Sequence, residues 1–444
     1  MARLAVPTDD EEAYPPGVPQ ELSKVLELRA VRSAEEVERL AEFNAFVNQD
    51  PAAGVLTEWW LGGTHPTVNL PDFLYVENTE TGEVVSTLGL LTETWTYEGI
   101  PLQVGRVELV GTHPDYRRQG LIVAQMNVVE RMLEAKSCAM SCIAGIPHFY
   151  RQFGYEYAIP LDSCASMPLD LVPALLKGQR ESVAIRRMNL GTDLRQVMDL
   201  YEAQVAGLCV TSLRYEALWR FQDSAPPGLA EPTGTHVVLD RSGVVGYFRA
   251  RKNMWHPWLE FTEACVLPGG QVWGSRDALH AILRFGRDLA EQHDFSRQSF
   301  ALPRSHPLVT SARYLGAQPE RQYAWQVRIA DHADFLQRVS PALERRLAHS
   351  LLAGFSGSLD IDMMPRLVRV QLDRGRVSSV VDGQRPSKGS ILRMSLLLLT
   401  QLVLGYRSCA EITESHLEAA VDAPVRELVD VLFPPAESFA YSAP

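Results

Sequence analysis

The stretch Val107–Ile122, VELVGTHPDYRRQGLI, constrains this chain more than any other. Val107, Leu109 and Gly111 alternate with Glu108, Val110 and Thr112 as a strand requires, and Pro114, with no N–H to give, ends the ladder. After it DYRRQG must turn and open a helix whose apolar stripe is Leu121, Ala124, Val128, Met132 and Ala135. A turn into a helix start presents unpaired backbone N–H groups at the positive end of the helix dipole, and Gly120 lets a ligand approach that backbone. With Arg117 and Arg118 beside it, the place suits a pyrophosphate. The plainer reading of the same residues is a basic turn with a solvated face.

Composition narrows the classes. The 444 residues suggest about three domains. With 54 acidic against 42 basic residues the formal charge is −12, so a sequence-independent binder of nucleic acid, which needs clustered Lys and Arg, is not expected. The six cysteines are scattered with no C-x-x-C and no paired histidine spacing, which suggests neither a disulfide framework nor a metal site and fits a reducing cytoplasm. The acidic, Pro-rich N-terminus lacks an apolar signal core, and residues 1–25 read as a flexible arm. SILRMSLLLLTQLVLGY contains Arg393 and Gln401 and falls short of the roughly 18 to 20 apolar residues of a membrane span, so a buried helix is expected there.

The organisation repeats. LELRAV reads as a strand, followed by SAEEVERLAEFNAFV with a Ser33–Glu36 capping box and Val37, Leu40, Phe43 and Val47 on one helical face. VAIRRM and TDLRQVMDLYEAQV repeat the pattern, with Leu194, Val197, Tyr201 and Val205 at helical spacing. Each copy closes on an aromatic–glycine element, FYRQFGYEYA around Gly154 and SARYLGAQPERQYAW around Gly316. The reading is two tandem domains of one architecture, residues 26–165 and 166–330. From 331 to 444 helices and strands mix differently: DFLQRVSPALERRLAHS as helix, GSLDIDM and RLVRVQLD as strands with Val368, Val370 and Leu372 inward, then RVSSVV, and a helix capped by Ser408 with Glu411. That part is a small α+β domain.

HPDYRRQGLI resembles the acetyl-CoA signature of GNAT acetyltransferases, and FYRQFGYEYA resembles their tyrosine-bearing segment. Ile122 stands where the usual signature has Gly or Ala, a departure found in the enhanced-intracellular-survival-like branch, which this chain resembles over nearly its whole length. The resemblance implies an α+β chain of two tandem GNAT domains, the second degenerate, and a C-terminal domain like sterol carrier proteins. It implies acetyl-CoA as co-substrate, no metal, a small-molecule or peptide amine as partner, and a homo-oligomer, often a hexamer. It also places pantetheine on the backbone of Val110 and Thr112, the pyrophosphate on Arg117, Arg118, Gln119, Gly120, Leu121 and Ile122, and the general acid at Tyr150. Tyr155, by contrast, is expected to pack.

An alkyl ammonium of pKa ~10.4 must lose its proton to attack, at roughly 4 to 5 kcal/mol near neutrality. Glu108, expected on the strand face of Val110 and Thr112, is the candidate base; the alternative is a carboxylate paired with Arg106 or solvent. His148 ranks behind it as a loop histidine. In the resembled branch the C-terminal carboxylate also accepts a proton and the last residue is usually Phe. Here it is Pro444, which removes the apolar plug. Trp59 and Trp60, in what reads as a long loop DPAAGVLTEWWLGGTHPTVNLPD, are substrate-loop candidates or core fillers. In the second copy VLPGGQVWGSRDALHAILRF has glycines but no arginine before them. Two other classes stay open: a lipid or hydrophobic-ligand binder using the C-terminal domain, and an acyl-CoA binder without turnover.

Overall fold

A computed structural model of the chain describes residues 14–226, 229, 234–253, 256–266, 276–383 and 385–441. Two compact units emerge, one holding the chain up to Thr94 together with Leu102–Phe153, the other Trp95–Pro101 and the chain from Gly154.

In the first unit, strands β1 (Gln20–Ser23), β2 (Leu26–Ala30), β3 (Phe73–Asn78), β4 (Glu83–Tyr97), β5 (Ile100–Thr112) and β6 (Met140–Ile143) lie side by side in that order. Neighbours from β1 to β4 run antiparallel, whereas β5 and β6 are parallel. The turn from β4 to β5 has positive φ at both Glu98 and Gly99, the geometry that matches strand twist in a two-residue hairpin. Part of the stretch read as a loose arm is ordered: β1 pairs with β2, and Tyr14 donates to Asp72 at 2.6 Å.

Helix α1 (Ala34–Asn48) starts on the expected capping box, with Ser33 Oγ accepting from the Glu36 amide and the Glu36 carboxylate accepting from the Ser33 amide. Val37, Leu40 and Phe43 are buried. The segment read as a long loop with Trp59 and Trp60 instead forms α2 (Pro51–Leu61), because Asp50 caps its start and Pro51 occupies the first helical turn, where its missing N–H costs nothing. These local signals outweigh the absence of a clean apolar period. Helix α3 (Leu121–Ala135) links β5 to β6; of its expected stripe Leu121, Val128 and Met132 are buried, Ala124 is half-buried, and Ala135 in the last turn is exposed.

Glycines show which face of β5 each helix covers. A Cβ at Gly105 would lie 2.2 Å from Leu133 of α3, whereas Arg106 points the other way, its guanidinium 5.5 Å from the Trp60 ring of α2. Helices α1 and α2 therefore cover one face and α3 the other.

In the second unit, a seven-stranded sheet includes strands Ala184–Arg187, Thr235–Asp240, Gly243–Lys252, Trp258–Val266 and Arg297–Phe300. Trp258–Phe261 pairs in parallel with Arg297–Phe300, the helix Arg276–Gln292 lying between them in sequence. Leu194, Val197, Tyr201 and Val205 are buried along the helix Leu194–Val205, as their spacing predicts. A five-stranded sheet follows, ordered Arg376–Gly383, Leu367–Asp373, Gly357–Asp362, Ile391–Arg393 and Ala420–Val421. Val368, Val370 and Leu372 are buried, and Ser408 and Glu411 form the expected capping box. The greasy stretch is the short helix Leu396–Val403, and no helix among the described residues is long and apolar enough to cross a membrane.

Candidate active site

The parallel register of β5 and β6 covers Val104–Val107 against Met140–Ile143. Beyond it β5 runs on to Thr112 while the chain leaves β6 toward Tyr150, so the backbone of Glu108–Thr112 extends past its parallel partner. This opening is where an extended ligand arm can add to the strand.

The extension is not a regular strand. Leu109 has φ 49, the left-handed region that a non-glycine residue adopts at a cost. The consequence is a change of side. Arg106 and Glu108 share the face of α1 and α2, but a Cβ at Gly111 would meet Val47 of α1 at 2.5 Å, so Gly111 is on that face too. Thr112 turns to the α3 side, its hydroxyl 3.0 Å from that of Ser86, which reaches Gln125 of α3 at 3.4 Å. Glu108 therefore does not share a face with Val110 and Thr112 as alternation predicts; a bulge at Leu109 separates them. A buried polar cluster pins the bulge. The Thr87 hydroxyl lies 3.0 Å from the Leu109 carbonyl and 2.7 Å from Asn44 Oδ1, and Asn44 Nδ2 donates to Thr57 at 2.9 Å. All three side chains are buried, and sequence reasoning missed them because their partners are distant along the chain.

The phosphate-binding candidates come together. Pro114–Tyr116 forms one 3-10 turn, capped by His113 Nδ1, and Arg117 Nε reaches back to the Thr112 carbonyl at 3.4 Å. Arg118 (φ 63) and Gly120 (φ 79) are both left-handed, which bends the chain sharply ahead of α3. Gly120 is the N-cap of α3 and supplies no side chain to its first amides. Arg117, Arg118, Gln119 and Gly120 are exposed, Leu121 is buried and Ile122 half-buried, so the loop offers backbone and guanidinium groups outward and anchors through Leu121.

Tyr150 lies in the 3-10 helix Phe149–Phe153 and is 4% exposed, its ring edge-on to Phe149 at 5.0 Å between centroids. Gly145 makes room for it: a Cβ there would fall 2.0 Å from Tyr150 Cε2. Gly145→Ala is expected to displace the ring and cost about 1 to 3 kcal/mol of stability, with turnover falling alongside; a thermal melt and a rate assay check both. His148 is exposed, at φ 67, with its Nδ1 3.5 Å from Arg151. Tyr155 is fully buried, as expected.

Glu108 Oε1 is 3.5 Å from Arg106 Nε, while Glu93 of β4, which sequence reasoning did not single out, is closer at 3.0 Å. Burial pushes the Glu108 carboxyl up, Arg106 pulls it down, Glu93 pushes it up again, and the net direction is up. Cys142, in register with Arg106, has a thiol raised well above its ordinary range by burial and by Glu93. Trp60 is buried against Arg106 and Phe73, and Trp59 is half-buried on α2. Pro444 lies outside the described residues. The tail before it is described: the Phe439 amide donates to the Val210 carbonyl at 2.9 Å, and Phe439, Ala440 and Tyr441 are buried. Among the described residues no cluster of His, Cys, Asp or Glu is placed to hold a metal ion.

In the second unit Ala184–Arg187, Thr235–Asp240, Gly243–Lys252 and Trp258–Val266 are joined antiparallel, and Trp258–Phe261 pairs in parallel with Arg297–Phe300. Glycine-rich residues 267–275 lie outside the described residues. The strand Trp258–Val266 carries a register shift against its antiparallel neighbour between Arg249 and Ala250, so that Thr262 is the extra residue. Past Phe261 the opening is closed: the Ala301 amide donates to Phe261, and His306 lies 2.8 Å from the Ala264 carbonyl through Nε2. Because His306 Nδ1 accepts from the Leu308 amide, Nε2 carries the proton, and burial holds this imidazole neutral with a pKa lowered to about 4.

Comparison with known proteins bears on the fold. By sequence alone no curated protein matches the chain. Among solved structures, a conserved protein from Enterococcus faecalis described as a "Probable N-Acyltransferase" superposes with a TM-score of 0.68 at 16% identity, covering 94% of this chain and 98% of that one. A GCN5-related N-acetyltransferase from Anabaena variabilis gives 0.67 at 16% identity, with 94% and 99% covered. Eis1 from Mycobacterium abscessus gives 0.59 at 16% identity, with 94% and 100% covered. At such identities the likeness is one of fold. Residues 29–158 match the family described as "Acetyltransferase (GNAT) domain", a span that contains β5, the Arg-Arg-Gln-Gly turn, α3 and Tyr150, and the chain that carries it is an acetyltransferase enzyme.

Proposed function

We propose that the chain transfers an acetyl group from acetyl-CoA to a primary amine, of a small molecule or of a lysine side chain, by direct attack in a ternary complex. The observation that carries this reading is the uncapped start of α3, where Gly120 leaves the first amides without a side-chain partner beside two exposed guanidinium groups. In this reading the diphosphate of the carrier rests on residues 117–122, and its pantetheine arm follows the β5 backbone at Val110 and Thr112. The amine nitrogen attacks the thioester carbon, its proton passes to Glu108 directly or through a water, and the thiolate leaves toward the Tyr150 hydroxyl. A raised carboxyl pKa suits a base that must receive a proton near neutrality. Cys142 does not suit an acyl carrier, because its buried thiol resists ionisation.

The same reading takes residues 26–165 and 166–330 as tandem GNAT domains and 331–444 as a sterol-carrier-like domain. Support for a degenerate second copy comes from His306, which occupies the place where a ligand arm would pair. The hydrophobic-ligand alternative finds less support, since Leu398, Leu399 and Leu402 are buried as core. Titration calorimetry with coenzyme A, followed by an amine panel read by thiol release, tests the proposal. Binding without turnover on any amine would leave an acyl-CoA carrier, and no binding would overturn the reading. Arg117→Ala and Arg118→Ala are each expected to weaken coenzyme A binding about tenfold, less at high salt, with the fold unchanged by circular dichroism.

A further inference from the structure

On the α1/α2 face of the first unit, one buried cation stands between two carboxylates. Arg106 has 5% of its side chain exposed, against 16% for Glu93 and 24% for Glu108. Its Nε is 3.0 Å from Glu93 and 3.5 Å from Glu108. Glu93 comes from β4, Arg106 and Glu108 from β5 two residues apart, and Trp60 of α2 covers the guanidinium. Two further titratable groups face this cluster. Cys142 on β6 stays a neutral thiol, and His65, lowered to about 4 by burial and by Arg106, stays a neutral imidazole at working pH. The charges that act on Glu108 are therefore those of Arg106 and Glu93.

Resting on the reading of Glu108 as proton acceptor, we propose that Glu93 is a positioning residue that holds Arg106 at the shorter distance and so prevents the guanidinium from locking Glu108 into a closed ion pair. Arg106 Nε is buried and makes no hydrogen bond, so its tie to each carboxylate is charge at close range, tighter to Glu93 at 3.0 Å than to Glu108 at 3.5 Å. Glu108 then remains attached to the cluster yet open enough to take a proton from an incoming ammonium. The pair also leaves the cluster with a net single negative charge, which attracts that ammonium.

The test is the pH profile of kcat/KM. Glu93→Gln removes an anion and releases Arg106 to Glu108; both changes favour the charged carboxylate, so the acidic limb is expected to move to lower pH and the plateau to fall about tenfold as the base weakens. Arg106→Met removes the cation, and the limb is expected to move the opposite way, to higher pH. A merely structural role would not move the two limbs in opposite directions. Glu93→Asp, which keeps the charge but shortens its reach, is expected to fall between wild type and Glu93→Gln, and it decides the matter should the glutamine variant fail to fold. An acidic limb that stays in place in both Glu93 variants overturns the proposal. Glu108→Gln separates this from the underlying reading: if it keeps full turnover, Glu108 is not the base, whatever the Glu93 variants do. Calorimetry with coenzyme A on each variant shows whether the carrier site is intact.

Discussion

Arg214→Ala is expected to lower the stability of the second unit by about 3 to 5 kcal/mol, the usual cost of stripping one partner from a buried ion pair. The Arg214 side chain is fully buried and makes two 2.7 Å bonds to the two oxygens of Glu263. Its guanidinium packs over the rings of both Tyr201 and Trp219, 4.0 and 3.7 Å from their centroids. Glu263 also accepts from Tyr247 at 3.0 Å, with Arg249 at 3.5 Å. Burial alone would raise the Glu263 carboxyl, but Arg214 and Arg249 outweigh it and the net direction is down. A carboxyl with a depressed folded pKa contributes stability above its unfolded pKa and loses it as pH falls through the folded value. The alanine variant leaves this carboxylate buried with Arg249 as its remaining cation. Scanning calorimetry and hydrogen exchange across Trp258–Val266 check the loss. The double variant Arg214→Met, Glu263→Gln should recover part of it, because no buried carboxylate is left unpaired while the glutamine oxygen can still accept from Tyr247. If the single variant melts with wild type, the pair contributes nothing.

Tyr150→Phe is expected to lower turnover about a hundredfold while coenzyme A binds as before. The phenol is held in place by Phe149 and by the absence of a side chain at Gly145, so removing the hydroxyl alone leaves the ring seated. A thiolate leaving group resembles a cysteine of pKa ~8.5 and a tyrosine sits near 10, so the hydroxyl donates a hydrogen bond to developing charge rather than acting as a strong acid. Steady-state kinetics with calorimetry reads both terms. Unchanged turnover would remove Tyr150 from the reaction.

Much of this was legible along the chain. The capping boxes at Ser33 and Ser408 and the alternation in RLVRVQLD stand where the residues place them, since each depends on neighbours a few positions away. The Arg-Arg-Gly turn was legible too: a proline, a glycine and an apolar helical stripe are local signals. Helix α2 was missed although Asp50 and Pro51 announce it, because the mixed burial of its face blurs the apolar period. The orientation of Glu108 was misread for a deeper reason. Strict alternation assumes every residue of a strand is extended, and Leu109 is not.

By itself the sequence determined the local elements, the turn that opens α3, and the balance of charge that disfavours polyanion binding. Only the tertiary structure decided on which side of β5 each group points, that Arg106 lies nearer Glu93 than Glu108, and that His306 bonds to the Ala264 carbonyl in the second unit. Periodicity and caps are properties of adjacent residues, whereas a bulge held by Thr87 and Asn44, or a cation shared between two strands, exists only once distant segments meet and lose their water.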